Sequence, residues 1–191
     1  MEKIQYAFFR VAVLFSGLVF CGGALNDVFG AGDGKPIALD KGMSLTVTVS
    51  KAKDEAGEKG GLVFSLRFSN GGKETVGDTL IAGRTKEFTS IYLTDKQGRI
   101  SLPNSVGRGE GSTGGAETPK DCTDFSPAAA RDGSGNYVGH IVGFCTEPGG
   151  FDVITFGFPH PDDLEGVELI LQCAFCPKEG IKITPDMSGI R

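Results

Sequence analysis

Hydrophobic and polar residues alternate most clearly near the C-terminus. In Phe151 to Phe158 the residues Ile154, Phe156 and Phe158 share one parity, and in Val167 to Cys173 the residues Val167, Leu169, Leu171 and Cys173 do. Successive side chains of a strand point to opposite faces. Each run therefore predicts a strand that buries one row and turns Asp152 and Thr155, or Glu168 and Gln172, toward water. Between the runs lie Pro159 and Pro161, which have no backbone N–H to donate, so the chain is expected to leave the sheet there before it returns.

The same period recurs upstream. Leu45, Val47 and Val49 alternate with Thr46, Thr48 and Ser50, and Leu62, Phe64, Leu66 and Phe68 alternate with Val63, Ser65, Arg67 and Ser69. Lys51 to Gly61 is charged and glycine-rich and reads as a surface connection. Asn70-Gly71-Gly72 ends the second run, and asparagine before glycine predicts a tight turn with positive backbone angles. A weaker strand is expected over Thr75 to Ile81 and another over Phe88 to Leu93. The latter is closed by Asp95-Lys96-Gln97-Gly98, with Arg99 to Leu102 pairing back as a hairpin. Pro103 to Asn136 shows no sustained apolar period and reads as either a disordered segment or a long functional loop, with Cys122 pointing to a loop pinned to the body. Tyr137 to Phe144 resumes the sheet, and Ile181 to Thr184 is a short last strand.

No helical period and no internal repeat stand out. Seven to nine short strands separated by turn signals predict an all-β fold, an antiparallel sandwich of two facing sheets, with a closed barrel as its rival. The 30 glycines and the absence of tryptophan suit many turns and short strands.

The first residues change the picture of where this domain works. Lys3 and Arg10, the apolar run Val11 to Phe20 and the small residues Gly22, Gly23 and Ala24 have the form of a secretory signal peptide. The run is shorter than the roughly 20 residues that span a bilayer. Cleavage is expected after Ala24 or after Gly30, giving a secreted or periplasmic protein with no membrane span. Cys21 raises lipoprotein anchoring, but the bulky Phe20 stands where a lipobox has a small residue. The chain divides into a leader over 1–30, a lead-in over 31–42, one β-sandwich domain over 43–185 and a tail over 186–191. The net charge of −5, with no basic tract, argues against nucleic acid as a partner.

Export gives the cysteines their meaning. Cys122, Cys145, Cys173 and Cys176 remain after the leader, and an even count in an oxidising compartment predicts two disulfides, with three pairings open. Zinc would ask for two close cysteine pairs, and only Cys173 and Cys176 make one.

Other groups carry chemistry only at first sight. Cys173-Ala174-Phe175-Cys176 has dithiol redox spacing, but such motifs open a helix, and Pro177 to Gly180 is too short for one. Gly109, Gly111 and Gly114 match a dinucleotide-binding glycine pattern, for which the sequence supplies neither the preceding strand nor the following helix. Asp132, Ser134 and Asn136 alternate like calcium ligands, yet Tyr137 and Gly143 stand where an EF-hand loop has its glycine and glutamate. A turn is the simpler reading, with a looser cation site involving Asp121 or Asp124 as the alternative. Asp162, Asp163 and Glu165 read as a solvated bend between strands, with acid–base work or cation binding as the alternatives. His160 is expected to be exposed between its prolines and His140 to lie on a sheet face, and no nucleophile elbow accompanies either. No catalytic residue, cofactor site or metal site is assigned.

Three pieces in order carry a family resemblance. They are Phe64-Ser65-Leu66-Arg67-Phe68-Ser69-Asn70-Gly71, then Tyr92-Leu93-Thr94-Asp95-Lys96-Gln97-Gly98, then Pro148-Gly149-Gly150-Phe151 leading to Phe156-Gly157-Phe158-Pro159. Together they resemble a bacterial extracytoplasmic immunoglobulin-like domain family of unknown function, and the long insertion and the four cysteines depart from its pattern. The resemblance implies an immunoglobulin-like sandwich acting as an envelope or secreted binding or structural module, with a protein or envelope partner and no catalytic residues. The alternatives are a thiol-disulfide oxidoreductase or metal-binding protein using Cys173 and Cys176, and a carbohydrate- or cation-binding module.

Overall fold

The alternation of Leu62, Phe64, Leu66 and Phe68 becomes the central strand of the protein. A computed structural model describes residues 34–52, 60–109, 127–187 and 189–190. In chain order the strands are β1 (Ile37–Ala38), β2 (Met43–Lys51), β3 (Leu62–Asn70), β4 (Val76–Gly83), β5 (Ile91–Thr94), β6 (Ile100–Ser101), β7 (Ser105–Arg108), β8 (Ala128–Arg131), β9 (Tyr137–Thr146), β10 (Phe151–Phe158), β11 (Glu168–Leu171) and β12 (Ile181–Ile183). Two single-turn 3-10 segments, Asp40–Gly42 and Lys86–Phe88, accompany them, and the described residues contain no α-helix.

Three antiparallel sheets result. The largest runs β1-β2-β3-β10-β7, a second runs β12-β11-β5-β6, and the third is β4-β9-β8. In β3 the odd-even pattern is honoured: Leu62, Phe64, Leu66 and Phe68 are fully buried, and Arg67 between them is exposed. Register then aligns the inner rows of neighbouring strands, with Phe64 opposite Val49 on one side and Phe156 on the other. A single apolar core takes side chains from all three sheets, so the two smaller sheets close over the inner face of the five-stranded one. Phe68 stacks on Phe144 of β9 at 4.0 Å between the layers, and Phe64 meets Phe158 edge-on at 5.4 Å within one layer. Each such ring contributes about 1.5–3 kcal/mol by leaving water.

The two smaller sheets meet at the end of β4. The N–H of Ser90 donates to the Ile81 carbonyl at 2.8 Å, and the Ile81 N–H donates back to Ser90 Oγ at 3.1 Å. All sheets keep open edges among the described residues, so the architecture is layered and is not a closed barrel.

Several expectations are corrected. The described residues form twelve strands where seven to nine were expected. The excess comes partly from 103–136, which holds β7, laddered on β10, and β8, laddered on β9. Neither strand carries a long apolar row, and each forms because an existing edge offers it hydrogen bonds. The lead-in also joins the sheet, since Ile37 and Ala38 pair with Leu45 and Ser44. After Pro159 and Pro161 the chain does not return to the sheet it left: β10 lies in the five-stranded sheet and β11 in the four-stranded one. The strand expected from Phe88 starts at Ile91, after the 3-10 turn. The hairpin from Asp95 to Gly98 forms as read, with Leu93 opposite Ser101 and Gly98 at φ 76°.

Candidate functional site

Asp152 is the charged residue that the sequence reading placed wrongly. It shares the parity of Ile154, Phe156 and Phe158, so the pleat turns it inward, and it is only 1% exposed. The fold meets that burial with a cation from the neighbouring strand. Arg108 at the end of β7 reaches diagonally across the ladder, its Nε donating to Asp152 Oδ1 at 3.2 Å and its Nη2 to Oδ2. The backbone N–H groups of Cys145 and Val153 donate to the same carboxylate at 3.3 and 2.9 Å. One side chain thus ties β7, β9 and β10 together where the chain crosses from one layer to the other. A buried carboxylate needs this many donors, because desolvation without them costs several kcal/mol.

The same crossing is held from the other side by Asn70, which is 2% exposed. Its Nδ2 donates to the carbonyls of Glu74 and Thr146 at 2.8 and 3.0 Å, and its Oδ1 accepts the Gly72 N–H at 2.9 Å. Its backbone bonds Gly150 and Gly149 in the turn before β10. The tight turn with positive angles expected at Asn70-Gly71 is therefore not what forms. Neither residue has positive φ, and Gly149 supplies it in the facing turn at φ 78°. Asparagine is present for its amide. Beside it, the Thr146 hydroxyl is buried without a hydrogen-bond partner among the described residues. Thr146→Val is expected to raise stability by about 1 kcal/mol by removing an unsatisfied hydroxyl, read as a higher urea midpoint with an unchanged slope.

Cys173 and Cys176 form a disulfide with a Cα–Cα distance of 5.0 Å. Between them Phe175 is buried against Phe144, its carbonyl accepts the Asp40 N–H at 3.0 Å, and the Ala174 N–H donates to Asp78 Oδ2 at 2.6 Å. The pair sits in a turn, and no helix follows it. Cys145 is oxidised as well. Cys122 lies outside the described residues, as do the leader with Cys21, the glycines Gly111 and Gly114, and Asp121 and Asp124.

The remaining candidates resolve into turns. Asp132 accepts N–H bonds from Ser134 and Asn136 at 2.9 Å each and from the Asn136 side chain at 3.1 Å, which closes the β8–β9 hairpin. No group of three or more metal-ligating side chains occurs among the described residues. Gly109 does follow a strand, β7, contrary to the sequence reading, and its N–H bonds the Val153 carbonyl at 2.8 Å. His140 lies on β9 against the Tyr137 ring. His160 is half-buried, not exposed: its Nδ1 lies 2.6 Å from the Pro161 carbonyl, and it lines a shallow cleft of about 260 Å³ with Leu93, Arg99, Ile100 and Asp162.

Asp162, Asp163 and Glu165 pair with the β5–β6 turn. Lys96 reaches Asp163 at 2.7 Å and Glu165 at 3.4 Å, and Arg99 pairs with Asp95 and approaches Asp162 at 3.9 Å. The hydrogen bond from Lys96 holds the Asp163 carboxyl below its ordinary 3.8, and Asp163 in turn raises the Lys96 ammonium above 10.5. A depressed carboxyl favours folding above its unfolded value and loses that contribution as pH falls through the folded one. The raised ammonium favours folding below its unfolded value and loses it as pH rises through the folded one. The pair therefore works between about pH 4 and 10. The urea midpoint is expected to fall on acidification below pH 4, less steeply in Lys96→Met and less steeply in high salt.

Compared with family models, curated proteins and solved structures, the chain matches none.

Proposed function

We propose that this chain is an exported immunoglobulin-like module that binds another macromolecule and performs no catalysis. The observation that carries the reading is where apolar surface is left over. Phe88 is 46% exposed just before β5, and Ile100 is 41% exposed on β6. Among the described residues β6 is an edge strand with a paired neighbour on one side only. An open edge that carries an exposed apolar side chain, Ile100, suits the addition of an extended segment from a partner. The resemblance lends support, since its pieces fall on β3, on the β5–β6 hairpin and on the turn into β10. The disulfide supports an oxidising compartment.

The test is capture from an envelope extract of the exporting cell by the mature chain, with and without Phe88→Ser and Ile100→Ser. Loss of the captured protein, with an unchanged melting temperature, is the expected result. Equal capture by both variants would remove the binding surface from this edge.

The rival is an oxidoreductase acting through Cys173 and Cys176, favoured by their spacing and their oxidised state. It requires a bridge that the glutathione pool reduces easily and a thiolate that forms near neutral pH. Thiol titration of the pure protein separates the two readings, because a structural bridge resists that reductant.

A further inference from the structure

The bridge between Cys173 and Cys176 closes a loop of only four residues, too short to restrict much of the unfolded chain. Its local effect is larger. The turn it closes places Phe175 in the core, 4% exposed and beside the Phe144 ring. Through the turn's backbone it also fastens two other parts of the molecule. Phe175 accepts from Asp40 in the lead-in, Ala174 donates to Asp78 on β4, and Cys176 donates to the Cys173 carbonyl at 3.1 Å. Lys41 lies 5.7 Å from the centroid of the Phe175 ring, again from the lead-in.

We propose that this disulfide is a redox latch: its reduction opens the 173–176 turn locally, withdraws Phe175 from the core and frees the lead-in, while the β3–β10 centre stays folded. Cys173 is the accessible end, half-buried where Cys176 is 8% exposed. A small dithiol reductant attacks through its thiolate at the Cys173 sulfur. The S–S bond breaks, and the Cys176 sulfur leaves as a thiolate that takes up a proton. The second thiol of the reductant then closes on the mixed disulfide, releasing Cys173 as a thiol and the reductant as a cyclic disulfide. Two electrons and two protons pass to the protein. The opened turn presents Phe175 and the ring of Phe144 as new apolar surface. The inference rests on the packing of the turn and is independent of the proposed binding edge.

Hydrogen exchange by mass spectrometry on the full chain tests it, before and after dithiothreitol and alkylation. The amides of Asp40, Ala174 and Cys176 are expected to exchange at least about ten-fold faster after reduction, with those of β3 and β10 unchanged. Cys173→Ser with Cys176→Ser should give the same pattern without reductant, which separates this bridge from the one at Cys145. Unchanged exchange at the three amides in both samples overturns the latch. So does exchange that rises equally throughout β3 and β10, since the bridge would then hold the whole domain.

Discussion

Replacing Arg108 with methionine is expected to cost about 3–5 kcal/mol of folding stability, and replacing Asp152 with asparagine less, about 2 kcal/mol. The asymmetry follows from burial. Asp152 is 1% exposed and Arg108 about a third exposed. Without the guanidinium, the carboxylate keeps only the N–H groups of Cys145 and Val153 and stays inside the core row of β10. Without the carboxylate, Arg108 can swing its head into water from the end of an edge strand, and asparagine leaves no buried charge although its one oxygen serves only one of the two N–H groups, which donate to different carboxylate oxygens. Urea unfolding of the two single variants and of Arg108→Met with Asp152→Asn is the measurement. The double variant should be more stable than Arg108→Met alone, because it leaves no buried charge. If Asp152→Asn proves the more damaging single change, the pair is not the inward clamp described above.

Asn70→Ala is expected to destabilise by about 2–4 kcal/mol. The substitution removes the side-chain partner of the Glu74 and Thr146 carbonyls and of the Gly72 N–H, and the bond to Thr146 is the fully buried one of the three. Asn70→Asp separates the amide's chemistry from its size. It keeps the acceptor for Gly72 but aims a second oxygen at two carbonyls, so it should be no better than alanine. If instead aspartate restores wild-type stability, the side chain serves the turn alone and does not fasten β9. The damage should extend to the Phe68–Phe144 stack, since Phe68 and Phe144 each lie two residues from a bonded atom of this corner.

How much of this was legible depends on whether a residue's role is set by its own strand. Asp132 could be read, because its partners lie within four residues and a turn needs nothing else. Asp152 was in principle readable from parity alone, and its inward direction signals a buried partner. That the partner is Arg108 could not be read, because a separation of 44 positions along the chain carries no such signal. Asn70 looked like a turn former because asparagine before glycine usually is one. Its side-chain bond to Thr146, 76 residues away, overrode the local preference.

The sequence by itself determined that the described part of the chain is all-β, which strands have one wet face, and where the β5–β6 hairpin turns, because the period-two pleat and turn chemistry are local properties. Only the tertiary structure decided which sheet each strand joins, that β7 and β8 exist, and that Asp152 and Asn70 hold the crossing between the layers. Ladder pairing and burial are contracts between distant segments, and a strand with little apolar character of its own forms only when a neighbouring edge offers its hydrogen bonds.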